Sequence, residues 1–251
     1  MKVKEIFSKK ILIPTAISGF DYCLNPYVGC GHGCRYCYAS FMKRFTDHRE
    51  PWGTFVDVKV NAPSLLREQL KRIKPGRVAI STVTDPYQPL ERKYRITRRC
   101  LEALLDYPFE VNLLTRSSLA LRDIDLFKGF EKIEVGFSIT THDEKVKAIF
   151  EPFSPPISSR IKALETLRRE GIRTYAFLGP LLPLKPASLV EMLEGLVDEV
   201  LIDRMNYLNQ VKRIYHRQGL DIYLVDDYFK TVGYDLKERF EEKGVVVHLL
   251  F

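Results

Sequence analysis

Cys30, Cys34 and Cys37 stand in a C-x3-C-x2-C spacing inside the stretch NPYVGCGHGCRYCYASF. Three thiolates this close in sequence are soft ligands, suited to zinc or to an iron–sulfur cluster. Three cysteines can occupy three irons of a 4Fe–4S cube and leave the fourth iron open to a substrate or cofactor, by the logic that keeps one position open on a catalytic zinc. Gly29, Gly31 and Gly33 remove side chains around the first two thiols, so backbone amides can approach a cluster and hydrogen-bond its sulfurs. His32 lies inside the same loop, where it either shapes the loop or donates to a sulfur. A zinc site would need a fourth ligand from Cys23, His32 or Cys100, and only one C-x2-C pair is present, so the spacing favours iron–sulfur. Five cysteines, an odd number with four of them inside fifteen residues, argue against a disulfide framework and for a reducing compartment.

Such a loop needs a scaffold. Apolar, β-rich runs predict strands at 77–82, 110–115, 132–140, 173–178 and 200–203, with a further one at 21–28. Helix-period runs lie between them, at 33–44, 63–73, 97–105, 118–127, 143–150, 159–170, 187–196 and 205–216. Alternating strands and helices imply an α/β fold, a parallel sheet with helical crossovers. Six such units fit a partial, open (β/α)6 barrel; a doubly wound sheet is the alternative that pattern alone leaves open. Residues 221–243 read as a helix broken at Gly233, followed by a strand at 245–251, and residues 1–20 as a strap or short strand. We therefore expect a single domain over 1–251: a strap at 1–20, a core at 21–218 and a C-terminal helix–strand extension at 219–251.

Composition sets the limits. The chain has 251 residues, 45% hydrophobic and 28% charged, which is a folded composition and not a disordered or fibrous one. Lys and Arg number 39 against 32 Asp and Glu, a net charge of +7, which permits a polyanionic partner without demanding one. No apolar run approaches the roughly 18–20 residues of a membrane span. The start, MKVKEIFSKKILIPTAISGF, has a short apolar stretch interrupted by Pro14 and makes a poor signal core. The expectation is a cytoplasmic protein with no membrane association.

Cys30, Cys34, Tyr36 and Cys37 together form C-x3-C-x-aromatic-C, which resembles the signature of the radical S-adenosylmethionine (SAM) enzymes. NPYVGCGHGCRYCYA, STVTDPYQPLE, LLTRSS, VGFSITT and EPFSPPISSR resemble, more narrowly, the branch related to spore photoproduct lyase, often described as DNA repair photolyase-like. The resemblance implies a partial (β/α)6 barrel, a 4Fe–4S cluster on Cys30, Cys34 and Cys37, and SAM chelated by the open iron. It implies an electron from a reductant such as ferredoxin or flavodoxin, cleavage of SAM to methionine and a 5′-deoxyadenosyl radical, and hydrogen abstraction from a substrate. By the same resemblance Tyr36 should lie near the adenine. Thr84 and Asp85 should stand where many of these enzymes carry Gly-Gly-Glu for the cofactor's amino group. Arg116 should meet its carboxylate and Ser138 its ribose. Arg160, which with Glu151 flanks a proline-rich loop, either assists at the carboxylate or forms a salt bridge with Glu151 that holds the loop.

One departure bears on the reaction. Spore photoproduct lyases carry a hydrogen-returning cysteine after the cluster motif, and residues 81–85 of this chain contain none. Cys23, on the strand before the motif, is the candidate hydrogen donor, with a buried structural thiol as the alternative; Cys100 sits among Leu101, Leu104 and Leu105 and reads as core. Arg92, Lys93, Arg95, Arg98 and Arg99 are either phosphate contacts or a solvated helix face. The substrate favoured by relatedness and charge is nucleic-acid-related. The competing expectation is an iron–sulfur or zinc protein that binds nucleic acid without radical chemistry.

Overall fold

Along the strand Glu110–Thr115, Val111, Leu113 and Thr115 are buried while Glu110, Asn112 and Leu114 are only half-buried. A strand in the middle of a parallel sheet shows this period of two when one face meets helices and the other lines a partly open interior. The computed structural model, which describes residues 1–251, repeats that arrangement through the chain. Its strands are β1 (Lys2–Ile6), β2 (Leu12–Pro14), β3 (Tyr22–Leu24), β4 (Tyr27–Val28), β5 (Phe55–Lys59), β6 (Arg77–Ile80), β7 (Glu110–Thr115), β8 (Ile133–Ser138), β9 (Arg173–Leu178), β10 (Glu199–Ile202) and β11 (Val246–Leu249). Its helices are α1 (Ala62–Leu70), α2 (Glu91–Tyr94), α3 (Ile96–Leu104), α4 (Ile124–Phe127), α5 (Glu144–Phe150), α6 (Ile157–Arg169), α7 (Pro186–Leu193), α8 (Leu208–Arg217) and α9 (Asp226–Glu242).

The main sheet has eight strands in the order β2-β3-β6-β7-β8-β9-β10-β11, and its two ends do not pair. From β3 to β11 every pairing is parallel, and β2 joins β3 antiparallel. Six of these strands, β3, β6, β7, β8, β9 and β10, are the parallel strands of the expected partial barrel. β11 adds a seventh, so the C-terminal extension continues the sheet. Cys23 pairs with Ala79, Ala79 with Asn112, and Asn112 with Glu134, which puts these four on one face. Tyr175 of β9 reaches over Gly136 of β8 and donates to Asn112 Oδ1 in β7 at 2.7 Å, so that face is concave. A Cβ on Gly136 would fall within 2.2 Å of the Tyr175 ring; glycine is required there to let the ring lie across the strand. Below Tyr175, toward the amino ends of the strands, a cavity of about 790 Å³ is lined by Arg77, Glu134, Arg173 and Glu199, which pair with one another. The opposite face packs on the helices in one continuous core from Ile11 to Val245.

Four local expectations are corrected. Residues 33–44 do not begin a helix at Gly33: the cysteines occupy a loop, and only Tyr38–Phe45 winds, as a 3-10 helix. Gly33 takes φ +58, a left-handed conformation that no helix continues through. The strand expected at 21–28 is two strands in two sheets, because Pro26 has no N–H to donate at the corner. β5 was not foreseen; it lies between β1 and β4 in a second sheet of three strands, with β1 parallel and β4 antiparallel to it. Gly233 does not break α9, which runs on through it. A Cβ there would meet the Phe251 ring at 2.6 Å, so this glycine admits the last residue of the chain onto the helix.

Candidate functional site

The cysteine loop follows β4 and rests on β5. Gly29 has φ +86, and a Cβ on it would come within 2.5 Å of the Phe55 carbonyl oxygen. Gly33 meets Gly53 Cα to Cα, each lying where the other's Cβ would be. These close backbone contacts press the loop onto its support and leave the thiols to point elsewhere. Cys30 and Cys34 are buried, Cys37 is half-buried, and all three are free thiols.

Polar side chains from β6's following loop fix the backbone of the cysteine loop. Thr84 Oγ1 donates to the Gly29 carbonyl at 2.6 Å. Gln88, fully buried, accepts from the Gly31 N–H at 2.9 Å and donates to Thr84 Oγ1 at 3.1 Å. Asp85 is buried too: Oδ1 accepts from Thr115 Oγ1 at 2.6 Å and from the Tyr87 N–H at 2.9 Å, and Oδ2 accepts from the Arg116 N–H at 2.8 Å. His32 Nε2 approaches Oδ2 to 3.4 Å without hydrogen-bond geometry. Burial works to raise the Asp85 pKa, and His32, Thr115 and the Arg116 amide outweigh it and bring it down to about 2.

Glu151 is the hub of the other side. Its Oε1 accepts from the Tyr36 hydroxyl, from Thr140 Oγ1 at 2.9 Å and from Arg116 Nε at 3.5 Å. Its Oε2 accepts from Arg160 Nη2 at 2.5 Å and Ser154 Oγ at 3.0 Å. Burial works against its charge, but Arg160 and Arg116 hold the carboxyl well below the usual range. Arg160 is wholly buried, and it also donates to the Ser138 carbonyl at 2.8 Å and the Pro155 carbonyl at 2.9 Å. Its Nη atoms are therefore committed to the protein. Arg116 differs: Nη2 donates to the Tyr36 hydroxyl at 3.1 Å, Nη1 has no hydrogen bond in the protein, and the side chain is 18% exposed. Its charge also favours thiolate at Cys34 and Cys37, against burial that pushes the Cys34 thiol up to about 12.

The donor set fits an iron–sulfur cluster. Three reduced thiols share one glycine-backed loop beside a cation, and buried polar atoms around them lack partners: both His32 nitrogens, Trp52 Nε1 beside Cys37, and the hydroxyls of Ser81 and Ser138. No three His, Cys, Asp or Glu side chains converge on a single-ion position. Orphaned buried donors and acceptors are rare in a folded protein and mark groups that await a ligand or a sulfur.

The structure thus brings Cys30, Cys34, Cys37, Tyr36, Thr84, Asp85, Arg116, Ser138 and Arg160 to the carboxyl ends of β6, β7 and β8. Cys23 stands apart on the concave face at the level of Asn112, beside Thr82 and within the field of Tyr38. Within the basic run after the Asp85 loop, Arg98 is taken up by acids, pairing with Asp123 at 2.9 Å and Asp125 at 2.7 Å. Sequence reasoning missed Gln88 and Thr140. Gln88 lay inside the STVTDPYQPLE motif and Thr140 inside VGFSITT, so a signal was present for both.

An open parallel sheet with a three-thiol loop at its carboxyl end defines a class, and comparison agrees. A family model described as the radical SAM superfamily matches residues 24–196, and the chain belongs to that superfamily. It is accordingly an enzyme whose cofactors are a 4Fe–4S cluster and SAM. It is 43% identical over 183 residues to an uncharacterized protein of Methanocaldococcus jannaschii, covering 73% of this chain and 69% of that protein. It is 29% identical over 162 residues to the radical SAM Nalpha-GlyT isomerase of Pseudomonas phage M6, covering 63% of this chain and 33% of that protein. In fold it is similar to a double mutant of spore photoproduct lyase with bound AdoMet and dinucleoside spore photoproduct: TM-score 0.71, 14% identity, 99% of this chain and 81% of that one. No helix is long and apolar enough to cross a membrane.

Proposed function

We propose that this enzyme binds SAM at the mouth of the sheet and acts by hydrogen abstraction on a nucleic-acid-related substrate. The observation that carries the reading is the buried, glycine-backed Cys30–Cys34–Cys37 loop with the partly free Arg116 beside it. When bound, a reduced 4Fe–4S cluster and SAM would supply the one-electron chemistry of hydrogen abstraction. Cys30, Cys34 and Cys37 hold the iron. Arg116 would offer Nη1 to the cofactor's carboxylate, and the unpartnered Ser138 hydroxyl would be available to the ribose. Tyr36 supports the adenine, its hydroxyl fixed by Glu151. Thr84 and Asp85 set the backbone around the amino group. Arg160 acts through Glu151 and the Ser138 carbonyl, as a positioning residue. Cys23 on the concave face is the candidate hydrogen donor.

The nucleic-acid reading is supported by the +7 charge and by the dinucleoside bound to the structurally similar lyase. The electron comes from a cytoplasmic carrier of the ferredoxin or flavodoxin kind.

The test is anaerobic reconstitution, reduction with dithionite and measurement of 5′-deoxyadenosine from SAM, with Cys34→Ala as control. Product in the wild type alone is expected. A fully loaded cluster that neither binds nor cleaves SAM would favour the competing reading, a cluster protein that binds nucleic acid without chemistry.

A further inference from the structure

Two stretches of the chain carry cations and no acid. Between Asp21 and Asp47 there is no Asp or Glu, and Arg35, Lys43 and Arg44 lie there. Between Asp203 and Asp221 there is again none, and Lys212, Arg213 and Arg217 lie there. The fold sets these stretches side by side. The Tyr38 and Tyr207 rings face each other, 6.3 Å between centroids and 19° between planes. Arg35 N–H donates to the Phe150 carbonyl at 2.9 Å, and the Phe150 ring packs on Tyr215 of α8 at 4.7 Å. Val211 and Tyr215 bury the inner side of α8, which turns Lys212, Arg213 and Arg217 to solvent. None of these three has an ion-pair partner, although the exposed cations of α9 do: Lys230, Lys237 and Arg239 each pair with a carboxylate. Tyr38 and Tyr207 are 43% and 49% exposed.

Unpaired cations lining a path, with aromatic faces beside it, are the two components of a single-strand nucleic-acid surface: charge follows the phosphates and rings stack on bases. We propose that α8 and the Tyr38–Tyr207 pair bind a single-stranded nucleic acid across the mouth, with Lys212, Arg213 and Arg217 on its phosphates and Tyr207 against a base. The inference rests on the nucleic-acid reading above and adds the strandedness and the contacting residues. α8 lies beyond residues 24–196, so the superfamily match does not itself predict this surface. An anionic bilayer is the poorer partner, because the exposed side of α8 is Asn209, Gln210, Lys212, Arg213, His216 and Arg217 and has no apolar residue to insert.

The measurement is fluorescence anisotropy with a labelled oligonucleotide of about 12 nucleotides, single-stranded and as its duplex, on the reconstituted enzyme. Single strand should bind more tightly than duplex. Three phosphate contacts should weaken binding about 20-fold between about 50 and 200 mM salt. Lys212→Ala/Arg213→Ala/Arg217→Ala should abolish most of that salt dependence, and Tyr207→Ala should cost about 5- to 100-fold in affinity at fixed salt, restored by Tyr207→Phe. Cleavage of SAM, measured on the same preparations, should be unchanged in all of them. Equal affinity of the triple variant and the wild type, preference for duplex, or binding only to phosphatidylserine vesicles would overturn the proposal. Loss of SAM cleavage in the wild type with oligonucleotide binding intact would instead overturn the radical reading.

Discussion

The Tyr36 hydroxyl donates to the Glu151 carboxylate across 115 positions of sequence. Through this one bond the cysteine loop is tied to the loop after α5, and through Glu151 to Arg116, Arg160 and Thr140. The cysteine loop and the residues assigned to SAM therefore share a buried charge network. Glu151→Gln removes its single negative charge and leaves Arg160 buried without a counter-ion. Loss of one partner from such a pair costs about 3–5 kcal/mol. Urea unfolding should show the midpoint falling accordingly; a drop under about 1 kcal/mol would mean the network relaxes around glutamine.

Arg116 and Arg160 should separate by assay. Arg116→Gln should leave the iron and sulfide content of the reconstituted protein near wild type and weaken SAM by about 10-fold or more, the loss of one charge-assisted bond. Arg160→Gln should lower the unfolding midpoint first. Isothermal titration with SAM beside urea unfolding reads both, and the opposite pattern would exchange their roles.

Ser138→Ala makes a sharper distinction. The Ser138 hydroxyl is buried and has no partner in the protein. Deleting an unsatisfied polar group should leave stability unchanged or raise it slightly. If the ribose is its partner, SAM should bind about 2- to 10-fold more weakly. Equal SAM affinity in the variant would remove Ser138 from the site.

Gly53→Ala should loosen the cysteine loop. Gly53 has φ +92, and a Cβ would stand 2.6 Å from Gly33 Cα. Left-handed strain and overpacking together cost about 2–4 kcal/mol. Iron retained after gel filtration should fall together with the thermal midpoint, whereas Gly171→Ala, whose Cβ would meet nothing within 4 Å, should keep its iron.

Acid should destabilise the fold through Asp85 as well as Glu151. A carboxyl held at about 2 when folded, against about 3.9 unfolded, contributes stability that is complete above the unfolded value and disappears as pH falls through the folded one. The contribution is about 2.5 kcal/mol, lost mainly between about pH 4 and pH 2. Unfolding free energy followed over that range should decline less steeply in Asp85→Asn than in the wild type.

The parallel sheet and the grouping of three thiols were legible because each is written locally, in the apolar period of β7, β8 and β9 and in the spacing of Cys30, Cys34 and Cys37. The cysteine loop itself was not. Its tyrosines and alanine keep a helical rhythm, and the left-handed Gly33 that forbids a helix is crowded by Phe153 and Gly53, which lie well away from it in sequence. β5 escaped notice because its support comes from β1, a largely exposed strand carrying Lys2 and Lys4, and from β4, which has only two residues. A salt bridge between Glu151 and Arg160 was one of two roles that nearby sequence allowed. That Tyr36, Thr140 and Arg116 would also meet on Glu151 Oε1 is a matter of long-range packing, to which no spacing gives access.

Tyr175, lying across Gly136 and bonded to Asn112, closes the hollow of the sheet from beneath. The hollow is then a well and not a tunnel. Cofactor and substrate enter from the carboxyl end or the unpaired side of the sheet, and whatever settles last over the well becomes the stopper that would keep water from a radical made below it.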